Sequence, residues 1–495
     1  MTMDVTIAQG AFRGAPIDGT SEGRTFKGIP YASAPIGDLR WAEPRPPQQH
    51  DGTADATRYG PTVSTPPQRS QVLDELIPDP SRPGENGLNL NIWSPDISAS
   101  APVFVWIHGG GFATGAGSTS AFDGSAFARD GVVAVTINYR LAAEGFLHLP
   151  GAPGNRGLLD MVAALEWVRD NIAAFGGDPD RVTIAGESAG AMAVCTLLAV
   201  PRARGLFHRA IVQSGSAHHV HPLERAELVA PELAAELGVE ATVAGFSAVP
   251  VEELHAATNT VIGRLTSGQD PRFAEFRRLA FQPVIDGDVL PEHPIDAIAA
   301  GAGAGVDLLI GTNADEYGLF VGPTGMADKL TEEMLVETTR RLVDDPADLV
   351  DMYRAERPGA TPAELFVALQ SDWFCVAPAD RLLGVLRAAG RPVHSFQFAW
   401  NPPTYEGMLG ACHTLEIPFV FDTLRDPWGR ALRGADAPQS LADEMHAAWV
   451  AFVRDGDPGW PEYGDRRRVR RLDVSSTTVE DPLALTRQIW DGRPL

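Results

Sequence analysis

The feature that most constrains the fold is the pentapeptide Gly186-Glu187-Ser188-Ala189-Gly190, which stands between a strand-like run and a helix-like run. The run before it, residues 182–185, is short and apolar, and the apolar run after it extends through Leu198. A strand that turns directly into a helix crowds the positions two residues either side of the serine, so small residues are needed there. Such a turn would place Ser188 beside the amides and the positive dipole end of the helix, as a candidate nucleophile. An ordinary glycine turn is the alternative interpretation.

The runs around this turn predict a mostly parallel sheet. Residues 103–107, 132–137 and 182–185 are continuous apolar runs that end in loop residues, as buried parallel strands do. Between the last two, apolar residues recur at three- and four-residue steps over residues 158–174, which is typical of an amphipathic helix. Strand, helix and strand in this order imply a right-handed crossover and an α/β fold with helices on both faces of the sheet. Further strands are predicted at residues 209–213, 307–311 and 394–399.

The organisation of the chain favours one continuous catalytic domain over residues 1–495. The 44% of apolar residues supply ample material for one extended sheet with a sizeable core. No internal repeat and no low-complexity linker marks a boundary. Residues 222–280 and 326–388 are acidic and helical in character, and we expect them to be helical insertions above the sheet. Residues 66–85 are rich in proline and polar residues, which predicts an irregular surface loop.

Charge and cysteine content exclude several classes of partner. The 40 basic and 64 acidic residues give a net charge of −24, which would repel phosphate backbones and anionic membrane surfaces. No run is long and apolar enough for a membrane helix, and the first ten residues do not resemble a signal peptide. Three well-separated cysteines, Cys195, Cys375 and Cys412, suit a reducing compartment. We therefore expect a cytoplasmic protein that binds neither nucleic acid nor membrane, and the oligomeric state stays open.

A second glycine motif lies upstream, where His108-Gly-Gly-Gly111-Phe112 directly follows a predicted strand. Consecutive glycines leave their N–H groups unshielded, and a serine that forms an acyl intermediate needs donors for the oxyanion. Gly110, Gly111 and Ala189 are therefore candidates for an oxyanion hole. A flexible triglycine loop is the alternative, which the serine motif downstream makes less attractive.

Further short motifs follow one another along nearly the whole chain: Phe26-Lys-Gly-Ile-Pro-Tyr-Ala32, Leu39-Arg-Trp41, Leu88-Asn-Leu-Asn-Ile-Trp93, Asn138-Tyr-Arg140, Phe175-Gly-Gly-Asp-Pro179, Gln213-Ser-Gly-Ser216 and Pro283-Val-Ile-Asp-Gly-Asp288. In this order, and together with the two glycine motifs, they resemble the type B carboxylesterases, the cholinesterase-like and para-nitrobenzyl esterase branch of the α/β-hydrolases. The resemblance implies an α/β-hydrolase fold with helical insertions over the active site.

The resemblance also implies the remaining catalytic residues. The order of the triad in this fold is serine, acid, histidine. The family pattern selects Glu316, and not its neighbour Asp315, as the acid, and His413 as the histidine. The residues alone do not separate His413 from His394 or from His446, which also lie downstream of the serine.

Two further residues receive a role from the same resemblance. Ser214 and Glu416 are expected to steady the loop that carries the catalytic histidine. His218, His219 and His221 form a dense cluster, but their spacing matches no established metal site, so we expect a loop that borders the acyl pocket and no metal. His221 falls where some relatives place a bulky aromatic residue that shapes acyl preference.

The chain departs from many relatives at Gly87. Those relatives carry a cysteine there that closes a disulfide loop, whereas this chain has no cysteine upstream of Cys195. The missing disulfide favours a bacterial-type intracellular enzyme. It also argues against a choline-type cation site on that loop.

The function implied is hydrolysis of small to medium carboxylic esters through an acyl-Ser188 intermediate, without metal or organic cofactor. Hydrolysis of carbamates or activated amides by the same triad is an alternative, since the resemblance extends to herbicide carbamate hydrolases. A noncatalytic binding protein on the same fold is a remote alternative. Such relatives typically lose the nucleophile, whereas this chain keeps Ser188, Glu316 and His413.

Overall fold

The computed structural model, which describes residues 3–66, 71–276 and 279–495, is built around one large sheet. The strands found in these ranges are β1 (Met3–Ile7), β2 (Gly10–Pro16), β3 (Arg24–Pro30), β4 (Thr53–Asp55), β5 (Asn89–Ser94), β6 (Ala101–Ile107), β7 (Val133–Ile137), β8 (Gly177–Glu187), β9 (Arg209–Gln213), β10 (His221–Pro222), β11 (Val284–Ile285), β12 (Asp307–Asn313), β13 (Val393–Phe398), β14 (Arg468–Leu472) and β15 (Thr477–Glu480). All belong to the large sheet except β10 and β11, which pair with each other.

The centre of the sheet is parallel and its edges are antiparallel. The strand order is β1-β2-β3-β5-β7-β6-β8-β9-β12-β13-β14-β15, and β4 pairs with β2. From β7 to β14 every neighbouring pair runs parallel, whereas β1 to β5 and β15 pair antiparallel with their neighbours in this path. The carboxyl ends of the parallel strands therefore meet at one edge, which is where open α/β sheets bind their ligands.

Helices cover both faces of the sheet and extend above it. They are α1 (Gln71–Leu76), α2 (Ser125–Arg129), α3 (Ala142–Phe146), α4 (Arg156–Asn171), α5 (Ala189–Leu197), α6 (Leu223–Ala226), α7 (Val229–Leu237), α8 (Val243–Ser247), α9 (Val251–Thr266), α10 (Pro294–Ala299), α11 (Gly318–Val321), α12 (Glu332–Thr339), α13 (Pro346–Glu356), α14 (Pro362–Ser371), α15 (Ala377–Ala388), α16 (Ile417–Val420), α17 (Arg430–Arg433), α18 (Gln439–Asp455) and α19 (Ala484–Trp490). A π-helical turn, Asp372–Val376, joins α14 to α15.

Alternate side chains of each central strand supply two separate cores. Along β6, Val103 and Val105 pack into a core that includes apolar residues of α4 and α5. Phe104 and Trp106 point to the other face and pack with residues of α2 and α18. The complete burial of all four side chains explains why this strand reads as one continuous apolar run.

The α/β fold with helices on both faces is confirmed, and the predicted central strands are all present. The predicted helix over residues 158–174 consists of α4 followed by a 3₁₀ turn, and Gly176, at φ 81°, ends it. The two regions predicted to be helical contain α6 to α9 and α12 to α15. The loop predicted at residues 66–85 is interrupted by α1, and its residues 67–70 lie outside the described ranges.

The sequence patterns did not reveal the antiparallel strands at the N-terminal edge. Strand β2 contains Gly10, Gly14 and Pro16, residue types that weaken a strand pattern. Its partner strands hold it in the sheet all the same. In the described ranges, no helix is long and apolar enough to cross a membrane.

Candidate active site

Ser188 lies at the turn between β8 and α5, at the carboxyl edge of the parallel strands. Its backbone angles, φ 55° and ψ −124°, are in a region that residues with a side chain rarely adopt. A Cβ atom on Gly190 would overlap the carbonyl oxygen of Ile107, and one on Gly186 would lie 2.5 Å from the carbonyl carbon of Gly190. The two glycines of the motif are therefore required by the close approach of α5 to the neighbouring strand, as the sequence predicted.

The triglycine loop lies directly against this turn. A Cβ atom on Gly109 would lie 3.1 Å from Cβ of Ser188 and 2.7 Å from Oε2 of Glu187. Gly110 has φ 113° and Gly111 has φ 61°, so both adopt conformations that favour glycine. Ala189 is the first residue of α5, where a backbone amide has no partner inside the helix. The loop that carries Gly110 and Gly111 thus begins next to Ser188, and Ala189 directly follows the serine, so the oxyanion role of the three amides stays a prediction.

Tyr139 packs against His108, the residue at which this loop begins. The Tyr139 hydroxyl donates a 2.8 Å hydrogen bond to the carbonyl oxygen of His108, and the two rings stack with centroids 4.6 Å apart. Burial lowers the pKa of His108 to about 4, so its ring is neutral at physiological pH. The neutral ring and the hydroxyl fix the start of the loop without adding a charge.

Glu316 and His413 form a close, buried pair. Nδ1 of His413 lies 2.6 Å from Oε2 of Glu316, and both side chains are almost fully buried. The other carboxylate oxygen of Glu316 accepts a 2.8 Å hydrogen bond from the backbone N–H of Asn313, the last residue of β12. Asp315 is directed elsewhere, because its carboxylate accepts a hydrogen bond from the Ala411 amide. The distances thus pair His413 with the residue that the family pattern selected.

The second nitrogen of His413 has a partner that the sequence did not suggest. Nε2 lies 3.1 Å from Oε1 of Glu187, the residue immediately before Ser188. Within the described ranges no hydrogen bond joins Ser188 Oγ to His413. The sequence feature that could have indicated this contact is the position of Glu187, a carboxylate at the end of a buried strand and next to the serine.

Three buried carboxylates surround the imidazole and set its proton affinity. Burial alone lowers the pKa of His413, but the charges of Glu187 and Glu316 outweigh it and raise the pKa above its ordinary value, with a smaller contribution from Glu416. Burial raises the pKa of Glu187 to about 8, against the opposing effect of His413. The charges of His413 and Glu187 therefore stabilise each other, because each shifts the pKa of the other towards its charged form.

Glu416 connects the ends of β9 and β12 to the loop that carries His413. Its carboxylate accepts a 3.0 Å hydrogen bond from the Gln213 side chain and a 2.7 Å hydrogen bond from the Asn313 side chain. Asn313 also donates to the carbonyl oxygen of Cys412, the residue before His413. Asn313 therefore holds both Glu316 and the histidine loop, a role that no sequence motif indicated. Ser214 follows the strand that ends at Gln213 and has a φ of 56°. The Cys375 thiol donates a hydrogen bond to the carbonyl oxygen of Ser214, with 3.7 Å between sulfur and oxygen.

The three clustered histidines have separate partners. Nδ1 of His218 lies 3.2 Å from the Ser216 hydroxyl, and Nε2 of His219 lies 3.1 Å from the carbonyl oxygen of Phe374. His221 is buried with Nε2 3.1 Å from the carbonyl oxygen of Leu279. His218 and His219, but not His221, line a cavity of about 310 Å³ that Leu279 and Phe374 also border.

This cavity adjoins the candidate oxyanion loop. A Cβ atom on Gly111 would lie 3.3 Å from the side chain of Leu279, so one leucine contacts both features. The histidine loop thus borders a cavity next to the candidate oxyanion loop, and its role in binding the acyl group stays a prediction.

The three cysteines are buried, and within the described ranges they form no disulfide. At the position of the family disulfide, a Cβ atom on Gly87 would lie 2.5 Å from the backbone nitrogen of Val63. Backbone atoms of residue 63 therefore occupy the space that a side chain at residue 87 would need.

The fold is that of an α/β-hydrolase, and its buried Glu316–His413 pair contacts Glu187, the residue before Ser188. The chain belongs to the Carboxylesterase family, whose sequence pattern matches residues 2–481. It is 37% identical to the para-nitrobenzyl esterase of Bacillus subtilis, over 98% of this chain and 97% of that protein. It is also 37% identical to the phenmedipham hydrolase of Pseudarthrobacter oxydans, over 88% of this chain and 89% of that protein.

Solved structures give the same result. The Geobacillus stearothermophilus carboxylesterase EST55 superposes with a TM-score of 0.85 at 37% identity, covering 98% of this chain and 99% of that one. A solved para-nitrobenzyl esterase superposes with a TM-score of 0.82 at 35% identity, covering 99% of this chain and all of that one. The chain is thus an enzyme of the carboxylesterase type, which argues against the noncatalytic alternative.

Proposed function

We propose that the protein hydrolyses small to medium carboxylic esters through an acyl intermediate on Ser188, with His413 as general base and Glu316 as its partner. The observation that carries this proposal is the 2.6 Å contact between Nδ1 of His413 and Glu316, at the same sheet edge as the strained turn of Ser188. A carboxylate on Nδ1 selects the tautomer whose Nε2 accepts a proton.

The proposed reaction has two steps. Oγ of Ser188 attacks the ester carbonyl carbon while its proton passes to Nε2 of His413, and the imidazolium then protonates the departing alcohol. Water attacks the acyl-serine in the second step, again giving its proton to His413, and the acid leaves as Ser188 recovers its proton. Because Nε2 faces Glu187 at 3.1 Å, the ring must exchange this partner for Ser188 during the cycle. The scheme uses only side chains, backbone amides and water.

The oxyanion formed in each step is assigned to the amides of Gly110, Gly111 and Ala189. Loss of one such donor typically costs about 3 kcal/mol of transition-state stabilisation. Ser214 and Glu416 are assigned positioning roles, and the hydrogen bonds from Glu416 to Gln213 and Asn313 support that assignment for Glu416.

Hydrolysis of a short-chain nitrophenyl ester by the wild type and by Ser188→Ala tests the proposal. We expect turnover by the wild type and a loss of several orders of magnitude in the variant, with matching thermal melting curves. The exposed serine variant Ser98→Ala is the matched control and should keep full activity. Equal turnover by Ser188→Ala and wild type would refute the assignment of the nucleophile.

Carbamate hydrolysis is a second candidate, because a relative of equal identity is named phenmedipham hydrolase. The same Ser188 would be carbamoylated in place of being acylated. Comparing kcat/KM for an ester and a carbamate with the same leaving group separates the two, since a carbamate specialist would turn over the carbamate at least as fast.

We also propose that the enzyme works in the cytoplasm on small-molecule substrates. The three buried cysteines form no disulfide in the part of the chain that the structure describes, and this chain lacks the family cysteine at Gly87, which supports a reducing compartment. The net charge of −24 argues against nucleic acid and anionic membranes as partners.

A further inference from the structure

A buried thiol lies beside the catalytic pair. One ligand atom from each of Glu316, Cys375 and His413 lies within 4.8 Å of the other two, and all three side chains are buried. They come from separate parts of the fold: the loop after β12, the π-helical turn between α14 and α15, and the loop before α16. No step of the proposed ester hydrolysis uses Cys375.

These three side chains supply donors of the kind that soft divalent cations prefer. A thiolate, an imidazole and a carboxylate are the usual ligands of Zn²⁺, and thiolate in particular selects against Mg²⁺ and Ca²⁺. Bond lengths of about 2.0 to 2.3 Å place the ligand atoms of a tetrahedral site roughly 3.5 Å apart. The observed separations, up to 4.8 Å, require each side chain to move by about an ångström or less.

Charge also favours a cation at this position. Glu187 and Glu416 add two more buried carboxyl groups next to His413. A thiolate and one carboxylate balance the two positive charges of the metal ion, so the occupied site would bury no net charge of its own. The fourth ligand position is left for water, as in other metal sites with three protein ligands.

We propose that Zn²⁺ or Cd²⁺ binds to Cys375, His413 and Glu316 and thereby inhibits the enzyme. The metal forms bonds to Sγ of Cys375, a ring nitrogen of His413 and a carboxylate oxygen of Glu316. The thiol proton, and the imidazole proton displaced by the metal, pass to solvent. Binding removes His413 and Glu316 from their roles with Ser188, so hydrolysis stops while the metal is bound. Metal binding does not require ester turnover, so it can be measured in an inactive variant.

Cadmium binding to Ser188→Ala tests the site without any need for turnover. We expect Cd²⁺ added to the chelator-treated protein to produce the ultraviolet charge-transfer band of a cadmium thiolate. The additional change Cys375→Val should abolish the band. Cys412→Val is the matched control, since Cys412 is also buried and precedes His413, and it should keep the band. Absence of the band in Ser188→Ala, or its persistence after Cys375→Val, would overturn the proposal.

Inhibition of the active enzyme provides the second readout. The half-inhibitory concentration of Zn²⁺, with each variant normalised to its own metal-free rate, should rise at least tenfold in Cys375→Ser and Cys375→Val. It should stay within about twofold in Cys412→Val, and a chelator should restore the rate. Equal sensitivity of the Cys375 variants and the wild type would contradict the proposal. If no ester is hydrolysed, the cadmium band still decides this question, so the two proposals fail separately.

Discussion

Nε2 of His413 lies 3.1 Å from Oε1 of Glu187, so the proposed general base contacts the residue before the proposed nucleophile. The negative charge of Glu187 raises the pKa of His413. Glu187→Gln removes that charge, so the pKa of His413 should fall. A base must be unprotonated to act, and therefore the acid limb of kcat/KM should move by about one pH unit to lower pH.

The control for this change is Glu337→Gln, an exposed position on α12. Its acid limb should coincide with that of the wild type. An unchanged limb in Glu187→Gln, or one displaced to higher pH, would show that Glu187 does not act on His413.

Glu316→Gln should reduce kcat by about 10⁴-fold, because an amide on Nδ1 no longer enforces the tautomer that accepts the serine proton. Asp315→Asn is the matched control, since Asp315 bonds the Ala411 amide, and an asparagine oxygen can still accept that bond. Steady-state kinetics on one nitrophenyl ester compare the two. A larger loss in Asp315→Asn than in Glu316→Gln would reverse the choice of acid.

Gly190→Ala should destabilise the protein by about 3 kcal/mol or more, because the new Cβ would overlap the carbonyl oxygen of Ile107 and backbone must shift. Gly384→Ala, in the interior of α15, has no atom within 4 Å of its new Cβ and should stabilise by up to about 1 kcal/mol. Urea denaturation measures both values. Equal stability of the two variants would mean that α5 does not approach β6 as closely as described.

Asp372 gives a pH dependence of stability that is separate from catalysis. Burial raises its pKa from 3.8 to about 6, although hydrogen bonds from the Tyr353 and Thr486 hydroxyls lower it in part. A raised folded-state pKa stabilises the protein at low pH, and that contribution is lost as pH rises from about 4 through 6. The loss amounts to about 3 kcal/mol.

Asp372→Asn abolishes this titration. Its free energy of unfolding, measured in urea between pH 4 and pH 7, should therefore increase relative to wild type as pH rises. Asp351→Asn, at an exposed position on α13, is the control and should show no such trend. Parallel pH profiles for Asp372→Asn and wild type would contradict the assigned titration.

The centre of the sheet was predictable because its strands are buried on both faces, which leaves an unbroken apolar signal in residues 103–107 and 182–185. The turn at Ser188 was predictable because only glycine fits at Gly186 and Gly190. The N-terminal strands gave no comparable signal, since β2 carries glycine and proline in its short span.

The proposed partners of Ser188 were harder to predict, because they lie on loops that are far apart in the chain. The residues alone left His413, His394 and His446 open, and only the family resemblance selected among them. The contact of His413 with Glu187 and the bridging role of Asn313 depend on side-chain positions that no local pattern encodes.

Covalent labelling shows whether Ser188 is the residue that carries the acyl group. Peptide mass spectrometry after reaction with a fluorophosphonate, which reacts covalently with activated serines, tests this most directly. We expect one adduct, on the peptide that contains Ser188, and none in Ser188→Ala. An adduct on a different residue, or equal labelling of the wild type and of Ser188→Ala, would contradict the assignment of Ser188 as the nucleophile.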